Sequence, residues 1–145
     1  MRVVLDSNVI VAAFAARGIC SALFEYCVEN VEVVLCEEML REIEKALVGK
    51  VGVPPVVARE VVVYLTEVAE IVTPAEVDPA ACKDKGDLPV LGAAVAAKCD
   101  YIITGDAELL APKKYEGVEI VSPREFWEKA RKERSADPRR RGPAP

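Results

Sequence analysis

Aspartates occupy three positions from which their side chains can act together. Asp6 and Asp106 each follow a short β-branched segment, and Asp87 begins an apolar, alanine-rich stretch. The chain contains no histidine, which excludes Ser-His-Asp and Cys-His catalysis and zinc sites that need imidazole ligands. Carboxylates that converge repel one another unless a hard cation such as Mg²⁺ or Mn²⁺ compensates their charge. Because two such ions about 3.5–4 Å apart can activate water and polarise a phosphodiester, the pattern indicates metal-assisted hydrolysis.

Strand and helix signals alternate along the chain and predict an α/β fold, a three-layer α/β/α sandwich with a mainly parallel five-stranded sheet. In such sheets ligands bind beyond the carboxyl ends of the strands, where the strand order reverses. Asp6 and Asp106 occupy such ends. The predicted strands are 2–5, 31–35, 71–73, 101–104 and 118–121; the predicted helices are 9–16, 21–29, 37–50, 55–70 and 88–98, with a helical turn at 108–110 and a closing helix of about ten residues from Pro123.

Each aspartate also has a purely structural interpretation. Asp6 precedes a helix, where an N-cap contributes about 1 kcal/mol, and Asp87 is open to the same interpretation. Asp106 follows Gly105 and fits a turn. The spacing of Asp87 to Leu91 turns it toward the inward face of its helix, so it can approach the same crevice. Their coincidence in one crevice favours function over capping.

The formal charge of −5 argues against a nucleic-acid partner, but its distribution is uneven. The basic residues near the C-terminus either contact phosphates or only solubilise the chain end. We predict one domain over residues 1–134, followed by a disordered tail rich in Arg and Pro over residues 135–145. The clustered basic residues are Arg131, Lys132, Arg134, Arg139, Arg140 and Arg141, with a second patch at Lys113 and Lys114.

Hydropathy and cysteine content point to a protein of the cytosol. No apolar run approaches the roughly 18–20 residues of a membrane-spanning helix, so no membrane association is expected. The five cysteines include no close pair, which predicts reduced and mostly buried thiols.

Four segments stand out along the chain: VVLDSNVIVAAF, EEMLREIEKAL, KDKGDLPVLGAAVAAKCDYIITGDAELL and VEIVSPREFWEK. They resemble, in that order, the motifs of PIN-domain proteins, and the likeness is greatest to prokaryotic VapC-type toxins. The resemblance covers residues 2–128 and implies an endoribonuclease that uses Mg²⁺ or Mn²⁺. For a toxin it further implies a cognate antitoxin that blocks the site and a homodimer formed through helices of the N-terminal half.

The resemblance also assigns the site. Relatives often carry three consecutive acids where this chain has Lys85-Gly86-Asp87, so Asp84 is either an outer ligand or only loop charge. Glu42 and Glu44 flank the apolar stripe of their helix about equally, and only the motif alignment selects Glu42. The family's metal-binding acids fall on Asp6, Glu42, Asp87 and Asp106, with Asn8 and Thr104 as polar supports.

Two other functions compete with RNA hydrolysis. A hydrophobic strand that ends in aspartate also suits phosphoryl transfer through an aspartyl phosphate. Haloacid-dehalogenase-like phosphatases usually carry a second aspartate two residues later, where this chain has Asn8. The third possibility is a non-catalytic binding module that keeps the fold for partner contact; the intact acid set argues against it.

Overall fold

A six-stranded sheet forms the centre of the protein, whose computed structural model describes residues 1–136. The order of the strands across the sheet is β3-β2-β1-β4-β6-β5, and every neighbouring pair is parallel except β5 with β6. This confirms the predicted α/β class with a mainly parallel sheet flanked by helices. The strands are β1 (Arg2–Leu5), β2 (Glu32–Leu35), β3 (Glu70–Ile71), β4 (Tyr101–Ile103), β5 (Lys114–Tyr115) and β6 (Val118–Val121).

The prediction of five strands was wrong by one. The additional strand, β5, has only two residues and pairs antiparallel with β6 through a tight turn. Gly117 in that turn has φ of +85°, a left-handed conformation that glycine adopts without strain. A two-residue edge strand has no alternation of apolar and polar residues, so the pattern could not indicate it.

The helices follow the predicted order with shifted ends. One departure matters for the site: the helix predicted to continue to residue 50 ends at Ala46 and passes directly into a π-helical turn, Leu47–Val51. Gly52, with φ of +84°, ends that turn. The helices are α1 (Ser7–Ala15), α2 (Ile19–Asn30), α3 (Glu37–Ala46), α4 (Pro55–Val68), α5 (Leu88–Ala96), α6 (Ala107–Leu110) and α7 (Pro123–Ala136).

Burial is nearly continuous along the central strands, because helices cover a parallel sheet on both faces. In β1 and β4 the side chains of Val3, Val4, Leu5, Ile102 and Ile103 are all inaccessible to solvent. All five cysteines are unpaired and three of them are buried, as predicted. The core therefore holds the carboxyl ends of β1 and β4 rigidly side by side.

The chain reverses its direction across the sheet between β1 and β4. β2 and β3 lie on one side of β1, whereas β4, β6 and β5 lie on the other. Leu5 is level with Ile103 in the β1–β4 pair, so the residues that follow these two strands meet at the same edge. This is the position at which open α/β sheets bind ligands.

Two sequence-based expectations concern the membrane and the tail. Within residues 1–136 no single helix is long and apolar enough to cross a membrane, and α1 with α2 reaches those limits only as a pair bent by 110°. The closing helix α7 has 14 residues rather than about ten and extends to Ala136. The rest of the predicted tail, with Arg139, Arg140 and Arg141, lies outside the described residues.

Candidate active site

Asp6 is a buried carboxylate at the end of β1. Its backbone N–H donates to the Ile103 carbonyl at 2.9 Å, which extends the β1–β4 pairing by one residue. The side chain is only 4% exposed and makes no capping hydrogen bond to α1. The capping interpretation therefore does not account for Asp6. Burial raises the pKa of this carboxyl, the hydrogen bond from Thr104 lowers it, and the charges of Asp106 and Asp84 raise it further.

Thr104 connects the acid of β1 to the acid that follows β4. Its hydroxyl, fully buried, donates to Asp6 Oδ2 at 2.7 Å and accepts from the backbone N–H of Asp106 at 3.0 Å. Its own N–H donates to the Val121 carbonyl at 3.0 Å. Thr104 thus orients Asp6, as a supporting residue of the site would.

Asp106 is half-buried and does cap a helix. Its Oδ1 accepts from the backbone N–H of Glu108 at 2.9 Å, so Asp106 caps α6, a structural role that differs from the turn proposed for it from the sequence. Its charge nevertheless raises the pKa values of both Asp6 and Asp87. Capping and membership of the acid group are therefore compatible here.

Asp87 and Asp84 approach the same place from the segment before α5. Asp84 Oδ1 accepts from the Gly86 N–H at 2.8 Å and shapes the short 3₁₀ turn Lys85–Asp87. Asp87, half-buried, makes no capping hydrogen bond. Burial, followed by repulsion from four other carboxylates, raises the pKa of Asp87 to about 6. Those four are Asp6, Asp84, Asp106 and Glu42.

Glu42 and Glu44 have separate surroundings, which the helical pattern could not distinguish. Glu44 forms an ion pair with Arg59 of α4 at 3.4 Å. Partial burial and the charge of Asp6 raise the pKa of Glu42, the nearby Ser7 hydroxyl lowers it, Asp84 raises it, and Lys50 lowers it. Glu42 therefore faces the acid group, whereas Glu44 faces α4.

Ser7 is the residue that the sequence analysis missed. Its side chain is 1% exposed, and within residues 1–136 its hydroxyl makes no hydrogen bond of normal geometry. A buried hydroxyl without a partner is costly unless a ligand or water satisfies it. Asn8, predicted as a polar support, is exposed. The strand-to-helix segment Asp6-Ser7-Asn8 was the available signal, but only the direction of the helix decides which residue turns inward.

Comparisons with known proteins agree with this architecture. A family model described as PIN domain matches residues 2–108. The chain belongs to the PIN domain family. None of the curated proteins matches it in sequence.

A solved structure supports the same fold for this PIN domain. One chain of the crystal structure of VapBC2 from Rickettsia felis, bound to a DNA fragment from their promoter, is similar to it with a TM-score of 0.59. The similarity covers 84% of this chain and 98% of the other, at 12% sequence identity. At that identity the likeness extends to the fold and no further.

The acids of this PIN domain provide only hard oxygen donors, the type that Mg²⁺ and Mn²⁺ prefer. Within residues 1–136 no three carboxylate or thiol side chains are close enough to surround one ion as they stand. The buried Ser7 hydroxyl, which lies near Glu42, adds a further oxygen at this place. In chemical type, though not in spacing as the side chains stand, the donor set fits a divalent cation, which Asp6, Glu42, Asp87 and Asp106 could hold.

Proposed function

We propose that this PIN domain is an endoribonuclease that hydrolyses RNA phosphodiesters with Mg²⁺ or Mn²⁺. The observation that carries the proposal is the burial of Asp6 at a sheet edge among other acids. Burial, and after it the charges of neighbouring carboxylates, raise the pKa values of Asp6, Glu42 and Asp87. Bringing like charges together in this way costs free energy on folding, and such a group of acids is typical of a site that binds a compensating cation.

The roles of the residues follow from their surroundings. Asp6, Asp87 and Asp106 are the principal ligands, and Glu42 helps to hold a second ion. When bound, the ions supply polarisation of the phosphodiester and of the attacking water. Thr104 orients Asp6 through its 2.7 Å hydrogen bond. Asp84 is an outer member that adds negative charge while its Oδ1 remains bonded to Gly86.

The proposal also includes protein partners. α1 and α4 expose apolar side chains, and the rings of Phe14, Phe24 and Tyr64 pack against one another with centroids 5.2–6.4 Å apart. An exposed apolar surface of this kind is typical of a protein contact. We assign it to a homodimer, and we propose a cognate antitoxin that blocks the acid site, as in a toxin–antitoxin pair of the cytosol. The exposed apolar residues of α4 are Val56, Val57, Val63 and Tyr64.

Cleavage of RNA by purified protein tests the function. We expect wild type to cut single-stranded RNA with Mg²⁺ or Mn²⁺ and to lose this activity in EDTA. Asp6→Asn should abolish cleavage and leave the circular dichroism spectrum unchanged. Glu25→Gln, which removes an exposed acid from α2, is the matched control and should cut normally. Retained cleavage in Asp6→Asn would refute the assignment, and a stable phosphoryl adduct on Asp6 after acetyl phosphate treatment would favour the phosphotransferase alternative.

A further inference from the structure

Lys50 lies on the π-helical turn that follows α3 and is exposed. Within residues 1–136 it forms no ion pair. The turn has a defined geometry, because the N–H groups of Gly52 and Val53 both donate to the Leu47 carbonyl. π-Helical turns are rare in proteins, and those that occur often lie at functional sites.

The π-helical turn decides which way Lys50 points. Lys50 follows the buried Ile43 by seven residues, and in a regular α-helix that spacing would place it within about 20° of Ile43 on the core face. A π-helical turn holds more residues than an α-helical turn, so each of its residues advances by a smaller angle. The angular position of Lys50 around the helix axis is therefore shifted from the core face toward the side of Glu42, which precedes Ile43 by one residue.

The electrostatics agree with this direction. Burial and nearby acids raise the pKa of Glu42, and Lys50, the smallest contributor of those that act on it, lowers it across eight residues of sequence. Another lysine near the acids, Lys85, is already engaged, because its Nζ donates to the Pro79 carbonyl at 2.9 Å. Lys50 is thus an exposed cation on the Glu42 side of its helical segment, and within residues 1–136 its ammonium pairs with no carboxylate.

RNA that approaches this site meets at least five carboxylates, which repel its phosphates. Bound divalent ions offset that repulsion at the phosphate that is cut, but not at its neighbours. We propose that Lys50 binds a backbone phosphate of single-stranded RNA beside the cleaved one, and so contributes to substrate affinity rather than to bond cleavage. The location rests on the proposed nuclease function.

Binding can be measured without cleavage in an Asp6→Asn background with Mg²⁺, by fluorescence anisotropy of a labelled single-stranded RNA. Adding Lys50→Ala should raise Kd about tenfold, because one charge-assisted hydrogen bond is lost. The slope of log Kd against log salt should fall by about 0.7, the value for one phosphate on a single strand. Lys50→Arg should restore most of the affinity.

Lys114→Ala is the matched control. Lys114 is exposed and pairs with Glu119 of β6, which in turn is level with Tyr101, the first residue of β4. Lys114 therefore lies at the amino ends of the parallel strands, at the opposite edge of the sheet from the acids. The Lys114→Ala substitution should leave the Kd for RNA and the slope of log Kd against log salt unchanged. In cleavage assays, Lys50→Ala should raise KM and keep kcat within about twofold. The thermal stabilisation by Mn²⁺ should not decrease, because removing a positive charge cannot weaken the attraction for a cation.

Equal affinities for the Lys50→Ala and Lys114→Ala variants would overturn the inference even if wild type cleaves RNA. A loss of kcat with unchanged Kd would also overturn it, because Lys50 would then act on the chemistry. If wild type fails to cleave RNA while binding still depends on Lys50, the proposed nuclease function is wrong and the phosphate contact stands.

Discussion

Replacing Asp87 with asparagine should stabilise the fold when divalent cations are absent. In the folded chain the pKa of Asp87 is raised to about 6, first by burial and then by four neighbouring carboxylates. Above that pH, folding forces a charge into an unfavourable place. Asparagine keeps nearly the same shape and removes the charge.

The magnitude follows from the pKa. An increase from 3.8 to about 6 corresponds to about 3 kcal/mol between the charged and neutral forms. Because Asp87 is only half-buried and water screens its neighbours, we expect Asp87→Asn to raise the free energy of unfolding by about 1–2 kcal/mol at pH 8.

The sign of the pH dependence is fixed by the same values. Between pH 4 and 6 the folded chain holds the Asp87 proton more tightly than the unfolded chain does, so wild type loses stability as the pH rises through about 6. The difference between Asp87→Asn and wild type should therefore be largest above about pH 7 and nearly absent at about pH 4.

Urea unfolding in EDTA across this pH range measures the effect, with Glu25→Gln as the control for removing an exposed acid. Mn²⁺ should raise the Tm of wild type and raise that of Asp87→Asn much less. A variant that is no more stable than wild type at pH 8, or a gain of equal size at every pH, would refute the claim that burial and neighbouring charges disfavour the ionised Asp87.

Two further substitutions test the support of the site, and a third tests the core apart from it. Gly92→Ala would place a Cβ 2.5 Å from the Ala75 carbonyl oxygen, so urea unfolding should reveal a loss of about 3 kcal/mol or more. Thr104→Val removes the hydrogen bond to Asp6 and should raise the pKa of that carboxyl further; calorimetry at pH 7 should detect about tenfold weaker Mn²⁺ binding, and unchanged affinity would contradict the role of Thr104. Phe126→Ala empties a core position packed against Tyr101, at the opposite end of β4 from the acids; it should cost about 3–5 kcal/mol of stability while cleavage by the folded fraction stays normal.

The amino-acid pattern determined the architecture, because its signals are local. Continuous β-branched segments predicted the central strands, and apolar residues at helical spacing predicted the helices between them. The prediction that Asp6 and Asp106 share one edge needed only the rule that parallel strands end together. Pairing of Leu5 with Ile103 confirms the shared edge.

The sequence could not predict the directions in which polar side chains point, because neighbouring elements determine those directions. The contact with Arg59 of α4 separates Glu44 from Glu42, and the burial of Ser7 rather than Asn8 depends on how α1 leaves the sheet. The π-helical turn that aims Lys50 is likewise invisible in a pattern that continues α3. Hydrophobic periodicity records which side of an element is buried, whereas contacts between residues distant in sequence decide which polar groups meet, so only the tertiary structure could assemble the site.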